Sequence, residues 1–362
     1  MGFSLESLES FFSDLGEPKF RAKQLLSWIH QRGVTKFDLM TDFNKLLRKK
    51  LNSIAVIKPP KIHKEFLSDE GTKKFLIELD SGSMIEMVII PEKSRTTLCV
   101  SSQAGCALQC TFCATGAQGF DQDLGSDEII GQLWLANFMT KKLNPITNVV
   151  FMGMGEPLLN YDAVLESAKI MKNQFAYGLS RKRITISTSG IVPKIGKLSK
   201  DIDVSLAISL HAPEDNLRDE IVPINKKYPI KSLIKACEDY LKSFSNKKNI
   251  TMEYVLIDGV NDSIDHAKKL SILLKDVSCK INLIPFNSFE GSSYKRPKNK
   301  QMNSFKKYLM GKGYITTLRT TRGNSVSAAC GQLVGDLSNT IKGKNLINHR
   351  TCLLYTSDAA DE

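Results

Sequence analysis

Three cysteines crowd into eight residues of this chain, Cys106, Cys110 and Cys113. Closely spaced thiolates are typical ligands of iron–sulfur clusters, which usually take four of them. Three cysteines can hold three irons of a [4Fe–4S] cube and leave the fourth iron open to chelate a cofactor. A zinc knuckle would need a nearby fourth cysteine or histidine. Cys99 is close but lies in a strand-like run, and the nearest histidine is far along the chain, so we predict a [4Fe–4S] cluster.

The spacing of this motif, with Phe112 before its last cysteine, resembles the signature of the radical SAM superfamily. The motif follows a strand-like run, 96–101, through a short loop that contains Gly105. The resemblance implies that the open iron binds the amino and carboxylate groups of S-adenosylmethionine (SAM), which the cluster then cleaves.

Small and polar residues recur where later strand-like runs end. Singly they are ambiguous, because Gly-Met-Gly is more often just a turn and a lone histidine is more often a hydrogen-bonded structural residue. Together they predict a ring of polar groups at one end of a sheet, where barrel enzymes place their active sites. These positions are the segment Gly153-Met154-Gly155-Glu156-Pro157, then Ser187, Ser209-Leu210-His211 and Asn287.

Alternating strand and helix patterns must position these groups from residue 95 onward. Repeated βα units predict an α/β fold with a parallel sheet, here a partial (β/α)6-type, TIM-like barrel. The predicted strands are 96–101, 147–152, 183–188, 204–210, 251–257 and 280–286, with a weaker one at 314–319. Helical patterns include 126–141, 160–175, 230–244, 263–275 and 298–311.

The region before the barrel divides into two parts. Helical periodicity covers 1–55, and Lys45, Arg48, Lys49 and Lys50 share one face of its third helix. Pro59-Pro60 marks a linker, and short β-prone runs at 62–67, 73–79 and 84–90, separated by turn tripeptides, indicate a meander. We therefore predict a helical, RNA-binding accessory domain (1–58), a β extension (59–92), a barrel with a C-terminal catalytic loop (93–345) and a disordered or non-native tail (346–362).

Composition narrows the class of protein. The net charge of +12 favours a polyanionic partner such as nucleic acid, although solvated lysines give the same total. The chain shows neither an apolar run long enough for a membrane span nor a secretory start. The crowded cysteines indicate metal ligation in a reducing compartment. We expect a cytoplasmic protein.

Two further cysteines acquire a role only through a resemblance. Alone, Cys99 is predicted to lie in the core and Cys330 to be a small buried residue near Gly323, before a helix predicted from about residue 331. In its order of motifs, however, the chain from about residue 1 to 345 closely resembles the RlmN family of dual-specificity RNA methyltransferases. Besides the motifs above, the matching segments are Ile85-Glu86-Met87-Val88-Ile89-Ile90-Pro91, Leu98-Cys99-Val100-Ser101-Ser102-Gln103 and Ala328-Ala329-Cys330-Gly331-Gln332-Leu333.

The resemblance implies methylation of carbon 2 of an adenine in 23S ribosomal RNA and in transfer RNA, with two SAM molecules per turnover. Cys330 would take a methyl group from one SAM. A radical made from the second would remove hydrogen from that methyl, whose carbon then adds to the adenine. Glu86 is the candidate general base, and Cys99 would release the RNA by forming a disulfide with Cys330. The implied SAM contacts are Gly155, Glu156, Ser187, Ser209, Leu210, His211 and Asn287.

Other expectations concern partners and alternatives. An external reductant such as flavodoxin or ferredoxin is implied, and we expect a monomer. Basic stretches that could hold RNA are 181–183, 295–298 and Arg319 with Arg322, whereas Cys237 and Cys279 are expected to be structural. The rival activities are a Cfr-like methylation of adenine carbon 8 and a non-catalytic, cluster-bearing RNA-binding or redox-sensing protein; the segment around Glu86 favours carbon 2.

Overall fold

The computed structural model describes residues 1–140, 145–244, 249–320 and 322–335. Its N-terminal part is helical, as predicted. Ser4 and Asn44 begin the first and third α-helices by accepting hydrogen bonds from the backbone N–H groups of Ser7 (3.4 Å) and Leu47 (2.8 Å). The elements are α1 (Leu5–Asp14), α2 (Phe20–Leu26) with a π-helical turn (Ser27–Gln31), a 3-10 turn (Phe37–Leu39) and α3 (Lys45–Ile54).

The predicted meander is present and joins the main sheet. Strands β1 (Lys61–Leu67), β2 (Lys73–Glu78) and β3 (Met84–Pro91) pair antiparallel, and β3 pairs antiparallel with β4 (Thr96–Cys99). The β extension is therefore an edge of the barrel sheet and not a separate sheet.

A small side sheet frames the cysteine motif. Strands β5 (Gln103–Gly105) and β6 (Phe120–Asp123) pair antiparallel, and the short helix α4 (Ala114–Gln118) lies between them in the chain. Helix α5 (Ser126–Phe138) follows and returns the chain to the main sheet.

Seven parallel strands complete the main sheet, so the six predicted strands and the weaker seventh are confirmed. Their order is that of the chain, which is what consecutive βα crossovers produce. Within the described residues β12 pairs only with β11, so the barrel is partial. After β4 the parallel strands are β7 (Asn148–Phe151), β8 (Ile184–Thr188), β9 (Ser205–Ser209), β10 (Ile250–Leu256), β11 (Cys279–Pro285) and β12 (Thr316–Leu318).

Helices connect these strands and cover the sheet, burying aliphatic side chains from both. The five helical patterns named from sequence are present, and the structure adds α7 and α8, which those patterns did not include. Their bounds are α6 (Tyr161–Lys172), α7 (Val192–Asp201), α8 (Asp215–Ile221), α9 (Ile230–Lys242), α10 (Ile264–Leu273) and α11 (Asn299–Gly311), with 3-10 turns at Arg181–Arg183, Pro223–Lys226 and Asn324–Val326.

The chain after β12 folds back over the barrel, and we call residues 322–335 the Cys330 loop. A helix expected from about residue 331 is absent from 331–335, because the backbone N–H and C=O groups of this stretch bind other parts of the protein. The predicted tail, 346–362, lies outside the described residues. In the part of the chain that the structure describes, none of the helices combines the length and apolar character needed to span a membrane.

Candidate active site

The cysteine motif forms the loop between β5 and α4. Gly105 has φ +72°, and a Cβ there would collide with the carbonyl oxygen of Gly119, so the approach requires glycine. The backbone N–H of Cys106 donates to that same oxygen (2.8 Å), and Cys113 N–H donates to Cys110 O (3.1 Å). All three cysteines line one cavity.

This cavity has the donor set that an open-cornered cluster needs. Burial raises the pKa of the Cys106 thiol to about 12 and that of Cys110 further, so both thiols need a compensating cation to ionise. In the described residues, no three His, Cys, Asp or Glu side chains could together hold one metal ion. A four-iron cube binds each thiolate at a separate iron, and three cysteines around one cavity fit that demand.

The loop after β7 forms one wall of the cavity. Gly155 has φ +95°, and a Cβ on it would collide with the side chain of Gln103. The Glu156 carboxylate accepts hydrogen bonds from the N–H groups of Leu158 (3.0 Å) and Ser189 (2.8 Å). It thereby ties this loop to the one after β8. Burial raises the pKa of Glu156, and the backbone donors oppose that rise.

The fourth predicted strand end is held in an unusual conformation. His211 has φ +61°, a left-handed geometry that is rare outside glycine. Its Nδ1 accepts a hydrogen bond from Val255 N–H (3.0 Å), which leaves the ring proton on Nε2. Burial lowers its pKa to about 3, so the imidazole is neutral, and the ring packs edge-on to Phe112 of the cysteine motif.

Four polar side chains that were not predicted from the sequence hold the loops around the cavity in place. Arg218 on α8 is fully buried and donates to the carbonyl oxygens of Ser189, Ser209 and Leu210. Asn261, Gln103 and Glu253 are also buried and bind His211 O, Glu156 N–H and the Ser187 hydroxyl, respectively. None of them was assigned a role from the sequence, although Gln103 ends one of the matching segments, because charged and amide residues in such patterns are usually solvated.

The Cys330 loop closes over the cysteine motif and the end of β11. Asn287 donates to the Cys330 carbonyl (3.2 Å), and Gln332 donates to Ser288 O (2.8 Å). From α4, the Ala114 N–H and the Thr115 hydroxyl donate to the carbonyls of Gly331 and Leu333. Cys330 consequently lines the same cavity as the three motif cysteines.

Cys99 and Cys330 are electrostatic neighbours although they lie far apart in the chain. Cys99 is buried on β4, and burial followed by the charge of Cys330 raises its pKa to about 12. Burial raises the pKa of Cys330 to about 11, and Arg319 opposes the rise for both thiols. Arg319 is therefore the cation placed to favour a thiolate at either cysteine.

Glu86 lies on β3 and does not line the cavity that the cysteines share. Its carboxylate binds the Lys74 ammonium (2.8 Å) through one oxygen and the Val334 N–H (3.2 Å) through the other. Burial raises its pKa, and the Lys74 charge acts against that rise. The predicted base is thus attached to the Cys330 loop, four residues beyond the cysteine itself.

A second cavity lies toward the N-terminal ends of the parallel strands. Met152, Glu253, Ile284, Asn287 and Cys330 line both cavities, so the two cavities adjoin at Cys330. The wall of the second cavity is predominantly basic. The charged residues are Arg95, Lys182, Lys280, Arg319 and Arg322 against Glu92 and Glu253.

The structure brings most of the predicted site together. Ten of the predicted site residues line the first cavity: Cys106, Cys110, Cys113, Gly155, Glu156, Ser187, Ser209, His211, Asn287 and Cys330. Leu210 is buried behind it, and Cys99 and Glu86 lie outside its wall. Cys237 packs in the core beside Cys279, whereas Cys352 is outside the described residues.

Three cysteines that line a cavity walled by glycine and hydroxyl groups, in a partial α/β barrel, define a radical SAM enzyme. A family model described as "Radical SAM superfamily" matches residues 100–270. A second, "Ribosomal RNA large subunit methyltransferase N-terminal domain", matches residues 1–57. Membership of the superfamily implies SAM and a [4Fe–4S] cluster as cofactors.

Relatives define the family more narrowly. The chain is 50% identical over 361 residues to the Dual-specificity RNA methyltransferase RlmN of Alcanivorax borkumensis, covering 97% of this chain and 95% of that protein. Its identity to the protein of the same name from Pseudomonas putida is 52% over 343 residues, or 93% and 90% of the two chains. A solved radical SAM methyltransferase from Sphaerobacter thermophilus superposes with a TM-score of 0.86 at 39% identity, covering 92% of this chain and 98% of that one. The chain belongs to the RlmN family of radical SAM RNA methyltransferases.

Proposed function

We propose that this enzyme methylates carbon 2 of an adenine in 23S ribosomal RNA and in transfer RNA, with Cys330 as the methyl carrier. One observation carries the proposal: Cys330 stands between a cavity with three cluster-type cysteines and a basic cavity, with Cys99 as its neighbour. A sulfur at that position can receive a group on one side and deliver it on the other. The RlmN relatives are themselves dual-specificity RNA methyltransferases.

The first cavity is the proposed cofactor site. Cys106, Cys110 and Cys113 would hold the cluster, which with SAM supplies the methyl group and the one-electron chemistry that activates it. The SAM contacts would come from Gly155, Glu156, Ser187, Ser209, Leu210, His211 and Asn287. Neutral His211 offers an Nε2 donor, and Arg218 fixes the carbonyls behind Ser209 and Leu210.

The chain's own residues carry the methyl carbon through the reaction. Cys330 gives up its proton, aided by Arg319, and its thiolate attacks the methyl carbon of one SAM, with S-adenosylhomocysteine as the leaving group. The S-methyl group loses a hydrogen atom in the one-electron step, which consumes a second SAM, and its carbon bonds to adenine carbon 2. The adduct loses one electron, which the cluster would accept, and Glu86 takes the carbon 2 proton after its carboxylate leaves the Val334 N–H. The Cys99 thiolate then attacks Cys330 sulfur, which forms the disulfide and breaks the carbon–sulfur bond. The released carbon takes up a proton, which completes the methyl group.

We propose that the target adenine enters through the basic second cavity. A base in folded RNA must leave its stack to reach a buried sulfur, and basic walls hold the flanking phosphates. Lys45 and Lys49 are exposed on α3 and would add phosphate contacts, and we therefore propose residues 1–58 as the RNA-binding accessory domain. In the same scheme residues 59–92 support the barrel and 93–345 carry catalysis. The enzyme would act as a monomer with a flavodoxin- or ferredoxin-type reductant.

The deciding experiment is an assay of anaerobically reconstituted enzyme with 23S ribosomal RNA and, separately, transfer RNA. Digested products are analysed by nucleoside mass spectrometry against 2-methyladenosine and 8-methyladenosine standards. The expected product is 2-methyladenosine from both RNAs, and none from the Cys330→Ala variant. Only 8-methyladenosine would replace the carbon 2 assignment with a Cfr-like one. No methylated adenosine, with no 5′-deoxyadenosine formed from SAM and a strong reductant, would favour the non-catalytic reading.

A further inference from the structure

The Cys330 loop docks on the meander, where it contacts Thr72 and Lys74 at β2 and Met84 and Glu86 of β3. Gly335 has φ +61°, and a Cβ on it would lie 2.6 Å from the carbonyl oxygen of Met84. Gly323 has φ +71°, and its Cβ would lie 3.0 Å from the Thr72 side chain. Both ends of the loop therefore approach the meander as closely as only glycine permits.

A buried ion pair lies between these two docking points. The side chains of Lys74 and Glu86 are 7% and 4% exposed, and their Nζ and Oε1 atoms are 2.8 Å apart. Lys74 pairs with Val88 and Leu76 pairs with Glu86, so the two charged residues are diagonal neighbours on one face of β2 and β3. A pair so fully removed from water needs further hydrogen bonds to offset its desolvation.

Those further hydrogen bonds come from the Cys330 loop. Lys74 Nζ lies 3.4 Å from the carbonyl oxygen of Ser327 and donates to it. Glu86 Oε2 accepts the Val334 N–H at 3.2 Å. Ser327 has φ +49°, a strained conformation for a non-glycine residue that the contact helps to hold. The pair thus binds the loop on both sides of Cys330.

We propose that Lys74 is a positioning residue that clamps the Cys330 loop closed, directly through Ser327 and through Glu86 to Val334. This proposal rests on the proposed function, because it takes the chemical role of Cys330 from there. A sulfur that must meet SAM, an adenine and Cys99 in turn needs a loop with a defined closed state. Lys74 provides that state from a strand that contributes nothing to the cavity walls.

The competing role for the pair is support of the sheet alone. Replacing Lys74 would then loosen the whole fold and leave the loop no more affected than the core. The two roles are separated by comparing Cys330 with Cys237, which is fully buried in the core. Lys73 is the matched control, since it precedes Lys74 on β2 and pairs with Glu65 at a more exposed position.

The test is thiol alkylation of the cluster-loaded, oxygen-free enzyme without SAM or RNA. Iodoacetamide labelling at Cys330 and Cys237 is followed by peptide mass spectrometry for Lys74→Met, Lys74→Arg and Lys73→Met. We expect Cys330 to react about tenfold faster in Lys74→Met than in the parent, the factor that one charge-assisted hydrogen bond contributes to loop opening. Lys73→Met should match the parent, and Lys74→Arg should recover most of the protection. Hydrogen exchange should rise in the 323–335 peptide alone.

Equal Cys330 labelling in Lys74→Met and Lys73→Met, with Cys237 protected, would overturn the clamp. If Lys74→Met also exposes Cys237, Glu86→Gln decides, because the amide keeps the shape and loses the charge. Faster labelling of Cys330 alone supports the proposal, whereas unchanged labelling, or exposure of Cys237 here too, overturns it. None of these readouts requires methyl transfer, so failure to form 2-methyladenosine would leave the clamp result intact.

Discussion

Replacing Arg218 by methionine tests the organisation of the cofactor cavity most directly. The guanidinium is fully buried and donates to Leu210 O (2.9 Å), Asn225 Oδ1 (2.9 Å), Ser189 O (2.6 Å) and Ser209 O (3.1 Å). Methionine keeps much of the side-chain volume but none of these donors. These four acceptors, on three separate segments of the chain, would lose their common hydrogen-bond donor.

The expected loss follows from those acceptors. An unsatisfied buried acceptor costs about 1–3 kcal/mol. Burial lowers the pKa of Arg218 to about 10, so the group stays charged at neutral pH, and removing a buried cation returns part of the loss. We therefore expect the free energy of unfolding to fall by about 4 kcal/mol, near one per acceptor. That is a large share of the ~5–15 kcal/mol typical of folded proteins.

The assay is urea denaturation of the oxygen-free protein, followed by circular dichroism, together with equilibrium binding of SAM. Arg183→Met is the control, because Arg183 is exposed and donates to a single carbonyl, Thr147 O, at 3.2 Å. The control should lie within about 0.5 kcal/mol of the parent. Arg218→Met should also weaken SAM binding, since the loops it releases carry Ser209 and His211. Unfolding free energies for the two variants within about 1 kcal/mol of each other would refute the reasoning.

Three further outcomes are expected. In Cys99→Ala, methyl transfer to Cys330 should proceed and RNA should remain covalently bound to the protein; gels without any denaturant-resistant protein–RNA band would falsify the role of Cys99. Burial lowers the pKa of His30 to about 3, whereas in the unfolded chain it is ~6.5. The neutral, buried His30 therefore contributes its full stabilisation above pH ~6.5, and this stabilisation is lost as pH falls toward 3 because the unfolded state takes up a proton first. Between pH 7 and 5 the parent should lose about 2 kcal/mol more than His30→Gln, and parallel pH profiles in denaturation would contradict this. Gly105→Ala should lower the iron bound per chain, because the new Cβ collides with Gly119. The control Gly82→Ala has open space around its Cβ, so it should cost only about 1 kcal/mol of backbone strain and keep its iron. Equal iron contents in the two variants would argue against this loop geometry.

Local patterns in the sequence were sufficient for the strands, most of the helices and the cluster motif. Cys106, Cys110 and Cys113 are close in the chain, so their convergence depends on one short loop. The alternation of strands and helices has a strong period, and parallel strands place their C-terminal ends at one edge. The ring from Gly155 to Asn287 could therefore be predicted before its neighbours in space were known.

Side chains whose role depends on distant partners could not be predicted in this way. No role was predicted from the sequence for Arg218, Lys74 or Glu253, because nothing in their local sequence records that a remote segment will bury and bind them. The helix expected after Gly331 was wrong over 331–335 for the same reason, since the backbone there is bound by α4 and by Glu86.

The sequence by itself determined where a cluster would sit and, through resemblance, which reaction to expect. Only the tertiary structure decided what surrounds Cys330. It places one sulfur between two cavities, next to Cys99 and Arg319, and binds its loop to a buried ion pair on the meander. The reason is physical: a short motif encodes its own backbone, but burial and charge at a site are set by every segment that packs there.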